Sequence, residues 1–185
     1  LYNSAEKSIS LTKVNLLNEW LERRAKREPI QYIINNAWFY GREFYVNKNV
    51  FIPRPESERL IEEALNYLRD FDSPKILDSG TGSGCLSIDI SEEAINVAKI
   101  NSENLCANNV SFKKLDFLKT EMKTFHNFDL LISNPPYIPK KNIGSLMPEV
   151  RNFEPHTAWT DNNDGLEFYR KFSSDLPYIL SSKGI

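Results

Sequence analysis

Across residues 75–176 short apolar runs alternate with longer amphipathic ones, and this alternation leaves few folds open. "KILDSG" is a short strand candidate that runs into glycines. "SEEAINVAKINSENL" then reads as a helix, with Ser91 as its cap and Glu92 and Glu93 in the first turn, where the helix dipole favours acids. "VSFKKLDF" and "FDLLIS" are further strand candidates, and "GLEFYRKFSSDL" is helical. Strands interleaved with helices predict an α/β fold on a doubly wound sheet.

The front of the chain has a different pattern. Leu11, Val14, Leu17 and Leu21 recur at near-helical spacing, so "SLTKVNLLNEWLERRAKR" is predicted to be an amphipathic helix, capped by Ser10 and stopped by Pro29. From Gln31 the residues turn aromatic and β-branched around Gly41 and "NKN", which predicts a hairpin. "IPRPES" then launches a helix with Leu60, Ile61, Ala64, Leu65 and Leu68 on one stripe. The expected organisation is a helical domain over 1–35, a hairpin linker over 36–55 and an α/β domain over 56–185.

With 41% apolar and 26% charged residues in 185, the composition is that of a soluble globular protein. The longest apolar runs fall far short of the roughly 20 residues a membrane-spanning helix needs, and no signal peptide is evident, so the expected location is the cytoplasm. Cys85 and Cys106 have neither CxxC spacing nor neighbouring histidines, so neither a metal site nor a disulfide framework is expected. A net charge of −2 weighs against direct binding of long nucleic acid. The basic cluster "ERRAKRE" is interleaved with acids and reads as a solvated helix face.

The turn "ILDSGTGSG" carries Gly80, Thr81, Gly82, Ser83 and Gly84 at a strand's carboxyl end, where open α/β sheets bind ligands. Glycine there allows positive φ and lets a ligand lie against the backbone. Asp89 stands where the second strand should end, and a carboxylate there can bind both ribose hydroxyls. Asp116 and Phe117 close the next strand, where the ring can stack on adenine and the acid can reach an exocyclic amine. A capping Asp and a core Phe are the structural alternative. No Lys-Ser or Lys-Thr follows the glycines, which excludes a P-loop.

"DLLISNPPYIP" runs a strand into Asn134, Pro135, Pro136 and Tyr137, residues that cannot continue it. The arrangement suits methylation of an amide or aromatic amine, whose delocalised lone pair must be localised and aimed at the methyl donor. The side-chain oxygen of Asn134 and the carbonyl of Pro135 can accept the two N–H bonds and stabilise the positive charge that grows on nitrogen. The prolines fix φ and remove donors, and Tyr137 offers a flat face to a planar group. The alternative is a proline-stiffened turn with a surface tyrosine.

The pattern of glycines, ribose acid and third-strand Asp resembles S-adenosylmethionine-dependent methyltransferases. "REPIQYI", "WFYGREFYVNKNVFIPRPESE", "ILDSGTGSG", "NPPYIP", "VRNFEP" and "DGLEFYR" in this order resemble the release-factor glutamine N5-methyltransferases, the HemK-type protein methyltransferases. The resemblance implies a Rossmann-like class I methyltransferase domain that uses S-adenosyl-L-methionine and releases S-adenosyl-L-homocysteine. It implies class 1 peptide-chain release factors as partners, methylated on the glutamine of their Gly-Gly-Gln loop and docked with help from the helical domain. By the same resemblance, residues 80–84 hold the methionine and ribose part, Asp89 the ribose, Asp116 and Phe117 the adenine, and residues 134–137 the substrate glutamine. His126 and His156 match no catalytic position and are expected at the surface. The rival readings are an NPPY-type DNA or RNA amine methyltransferase and a non-catalytic S-adenosylmethionine-binding module.

The chain departs from the family between Gly84 and Asp89, where only "CLSI" intervenes. A βαβ crossover takes at least about 10 residues, so a stretch is expected to be missing between Ile88 and Asp89. An ordinary Cα spacing of roughly 3.8 Å there would count against this. Both ends are likewise expected to be incomplete relative to the family, with its last strands absent. Ser57 and Ser79 replace commoner residues, with little expected consequence.

Overall fold

The computed structural model describes residues 9–83 and 87–185. Helix α1 (Leu11–Ala25) forms where the leucine spacing predicts it, although Ser10 makes no side-chain cap bond. Arg27 ends the helical run with φ 69°, and Pro29 begins a second short helix, α2 (Ile30–Ile34), rather than leading into a strand. Buried Tyr32 and Ile33 belong to α2, so the predicted hairpin starts later than the aromatic pattern suggests. It consists of β1 (Asn36–Phe39) and β2 (Arg42–Tyr45), antiparallel around Gly41 at φ 70°. A 3-10 turn at Pro55–Ser57 then opens α3 (Glu58–Leu68).

The α/β part contains β3 (Ile76–Ser79), β4 (Ser87–Asp89), α4 (Glu92–Asn104), β5 (Phe112–Lys114), β6 (Leu130–Ser133), α5 (Pro148–Phe153) and α6 (Glu167–Ile179). Among the described residues the strands form one parallel sheet in the order β5-β4-β3-β6. Ser91 caps α4 as predicted, its hydroxyl accepting from the Ala94 N–H at 3.1 Å. Ile88 and Asp89 are successive residues of β4, paired with Lys113 and Lys114, so the break expected between them is not found: one strand carries both. β3 and β4 are parallel neighbours, and no helix stands in the described part of the link between them.

Two apolar clusters hold the layers together. Leu77, Ile88, Leu115, Phe117, Met122 and Ile179 pack under α6. On the hairpin side Tyr32, Val46, Val50 and Ile52 meet Ala94 and Val97 of α4. Each buried aliphatic or aromatic side chain of this kind stabilises by about 1.5–3 kcal/mol, so the hairpin is anchored to the sheet domain through α4. Asn101 reinforces that seam from inside: its side chain accepts from Tyr45 N at 2.7 Å and donates to Tyr45 O at 2.9 Å and Ser83 O at 2.6 Å. Among the described residues no helix is long and apolar enough to cross a membrane.

Candidate active site

β3 has β4 on one side and β6 on the other, so the direction of chain connection reverses at its carboxyl end, the place where open α/β sheets bind ligands. Ser79 and Ser133 are the last paired residues there, and the Ser133 hydroxyl donates to the Ser79 carbonyl at 2.6 Å. The glycine turn and the Asn134 loop thus leave the sheet side by side. Between them and the hairpin linker lies a cavity of about 670 Å³, within the range of small-molecule sites.

Gly80, Thr81, Gly82, Ser83, Asp89, Asp116, Phe117, Asn134 and Pro136 all line this cavity. Gly84 lies outside the described residues. Gly80 and Gly82 have φ of 81° and 54°, and a Cβ on either would meet nothing within 4 Å, so the turn borders open space. Asp89 shapes that turn: its carboxylate accepts from Gly82 N at 3.1 Å and from Ser91 N at 2.9 Å, which joins the glycines to the start of α4. Burial raises its pKa above the ordinary carboxylate value, against the opposing effect of the Ser91, Gly82 and Ile90 amides.

The Asp116 and Phe117 pair also has local duties. Asp116 accepts from Leu118 N at 3.1 Å and pairs with Lys119 at 3.2 Å. Both come after β5 has ended, not at its last residue. Phe117 is buried, with its ring 4.9 Å from that of Phe172 and stacked on Phe168 at 6.3 Å. The core phenylalanine and the cavity wall are therefore the same residue.

The prolines leave β6 buried, whereas Asn134 and Tyr137 are exposed. Asn134 Nδ2 donates to Ser57 Oγ at 3.2 Å, so Ser57 has a part in the site that its expected neutrality overlooked. Tyr137 is 55% exposed and, like Pro135, is not among the residues lining the cavity. The loop is braced from behind by residues 159–165. Ile138 N donates to Trp159 O and Lys140 N to Asn163 O, both at 2.9 Å. Gly165, at φ 83°, lies so close to the Tyr137 carbonyl that a Cβ there would collide with it. Asp161 folds this brace by accepting from the amides of Asn163, Gly165 and Glu167.

The linker is fixed by a buried pair. Glu154, whose side chain is 1% exposed, bonds the Arg54 guanidinium, which lies 4.5 Å above the Phe51 ring. Burial raises the Glu154 pKa, with Arg54 pulling the other way. The basic cluster is less solvated than expected, since Arg24 and Arg27 both reach Glu149 of α5, at 3.4 and 2.7 Å. His126 and His156 are exposed, as predicted. Sequence reasoning missed Ser57, Asn101, Asp161 and Gly165. Only the last pair carried a signal, the Asp-to-Gly turn chemistry of "DNNDG".

Residues 70–154 match a methyltransferase domain model and residues 1–34 a PrmC N-terminal domain model. The release factor glutamine methyltransferase of Bacillus anthracis is 40% identical over 199 residues, covering 98% of this chain and 68% of that protein. The protein of the same name from Bacillus subtilis is 37% identical over 201 residues, covering 99% and 69%. This chain thus spans about two thirds of their length. Both alignments are longer than the chain itself, so these relatives carry residues with no counterpart here. Among solved structures, the catalytic domain of hMettl16 in complex with the MAT2A 3'UTR hairpin 6 superposes with a TM-score of 0.56 at 14% identity, covering 95% of this chain and 76% of that one. That likeness speaks for the methyltransferase fold alone.

Proposed function

The chain belongs to the release factor glutamine methyltransferase family, and on that premise we propose that it methylates the side-chain amide of the glutamine in the Gly-Gly-Gln loop of class 1 release factors. The observation that carries this reading is the juxtaposition, at one switch point, of an open glycine turn and an Asn-Pro-Pro-Tyr loop with its amide exposed. S-adenosylmethionine, when bound, supplies an electrophilic methyl group on a sulfonium.

The residues present fit that cofactor. Gly80 and Gly82 border space with no side chain to fill it, Asp89 presents a carboxylate to the same cavity, and Phe117 contributes an apolar wall. Asp89 would hold the ribose hydroxyls, and Phe117 with Asp116 the adenine. Asn134 Oδ1 and the Pro135 carbonyl would accept the two N–H bonds of the substrate amide, turning its lone pair toward the methyl and stabilising charge that develops on nitrogen. The exposed Tyr137 would close over the planar amide from the solvent side.

The domain division at 35–36 and 55–56 remains part of this reading.

The test of function is label transfer from methyl-labelled S-adenosylmethionine to a release factor, to the same factor with its loop Gln changed to Ala, and to duplex DNA. The expected result is label on the unaltered factor alone, reduced roughly a hundredfold in Asn134→Ala, the scale seen when one transition-state hydrogen bond is removed. Label on DNA, or on the factor irrespective of that Gln, would overturn the reading. No transfer despite cofactor binding would point to the non-catalytic module.

A further inference from the structure

We propose that Ser57 is a positioning residue for the transfer: its hydroxyl takes one amide hydrogen of Asn134 and thereby turns the amide oxygen toward the acceptor nitrogen. This rests on the reading of Asn134 given above. Asn134 is exposed at the start of its loop, and the terminal torsion of an asparagine has a broad, roughly two-fold preference that packing alone would have to settle. An Asn whose NH2 faced the substrate would offer a donor where an acceptor is required. In the structure Nδ2 donates to Ser57 Oγ at 3.2 Å, which engages the NH2 and leaves Oδ1 for the acceptor, and both residues line the cavity.

Ser57 can do this because the turn that holds it is itself anchored. Its amide donates to Arg54 O at 3.0 Å, closing the 3-10 turn that opens α3. Arg54 is held in turn by Glu154, whose Oε1 takes the guanidinium while its buried Oε2 has no partner. A line of contacts runs from a buried carboxylate of the segment after α5, through the linker, to the amide at the site.

The experiment compares the full chain with Ser57→Ala, Ser57→Thr, Asn134→Ala and the Ser57→Ala/Asn134→Ala pair, using a release factor as methyl acceptor. Loss of one such bond predicts a kcat lowered roughly tenfold in Ser57→Ala, with KM for S-adenosylmethionine unchanged. Ser57→Thr, which keeps the hydroxyl, restores kcat, and adding Ser57→Ala to Asn134→Ala costs nothing more. Wild-type kcat in Ser57→Ala would overturn the proposal, as would failure of Ser57→Thr to rescue or a full additive loss in the double variant. The Asn134 side-chain amide signal in nitrogen-15 spectra, identified by its loss in Asn134→Ala, is expected to shift in Ser57→Ala. An unmoved signal would overturn the hydrogen bond even if wild-type protein labelled no release factor, so the two readings fail separately.

Discussion

The glycine turn after β3 and the proline loop after β6 leave the sheet from paired residues, Ser79 and Ser133, yet they are held by different means. In the turn, the described glycines have no protein neighbour where a Cβ would be, and Asp89 and Asn101 hold its backbone. The proline loop is pressed from behind by another backbone, with Gly165 against the Tyr137 carbonyl and two main-chain bonds beside it. Glycine leaves the backbone accessible in one and permits chain-to-chain approach in the other. The lesson is that the two sides of one switch point are secured differently, one by glycines that leave backbone accessible and the other by a second backbone packed behind it.

That contrast breaks first at Gly165. Gly165→Ala puts a Cβ onto the Tyr137 carbonyl at a φ that L-residues resist, and we expect a loss of about 3 kcal/mol of stability, the sum of left-handed strain and overpacking, read by urea unfolding. An unfolding midpoint equal to wild type would mean the brace is looser than described. Next comes Asp89→Asn, which removes a charged acceptor and should weaken S-adenosylmethionine binding roughly tenfold to a hundredfold by calorimetry.

Asp89 also carries a pH signature. Its folded pKa is raised by burial, so the folded protein holds the proton more tightly than the unfolded one. The stabilisation is fully present below the ordinary carboxylate range and is lost as pH rises through the raised pKa. Without cofactor, the wild-type unfolding midpoint should therefore fall more between acid and neutral pH than that of Asp89→Asn. Equal slopes would deny the burial effect.

Gly82→Ala should be milder for the fold, about 1 kcal/mol, because φ of 54° is left-handed but the space is free. Its effect on cofactor binding should exceed its effect on stability, the reverse of Gly165→Ala. The smallest effect belongs to Arg27→Ala, which loses an exposed pair with Glu149. The unfolding midpoint should move little, and the shift should vanish in high salt. A large, salt-independent change would show that α1 and α5 depend on this pair.

Much of the site was legible because its chemistry is local. Glycines at alternate positions after a strand, an acid before a capped helix and Asn-Pro-Pro-Tyr after an apolar run all announce themselves within a few residues. The parts that escaped act at a distance. Ser57 and Asn134 are 77 residues apart and Arg54 and Glu154 are 100 apart, so no periodicity could link them. Helix α2 was hidden because Ile30, Tyr32, Ile33 and Ile34 are β-branched or aromatic, residues that favour strands until packing against the hairpin overrides their propensity.

The sequence by itself determined the alternation of strands and helices, the cap at Ser91, the turn after β3 and the loop after β6, since each follows from neighbouring side chains and backbone preference. Only the tertiary structure decided that Phe117 is both core and cavity wall, that Gly165 braces Tyr137 and that Ser57 holds Asn134. Those roles depend on which distant backbone comes within bonding distance, and that is settled when the parallel sheet and the hairpin pack against α4, not by any local stretch of chain.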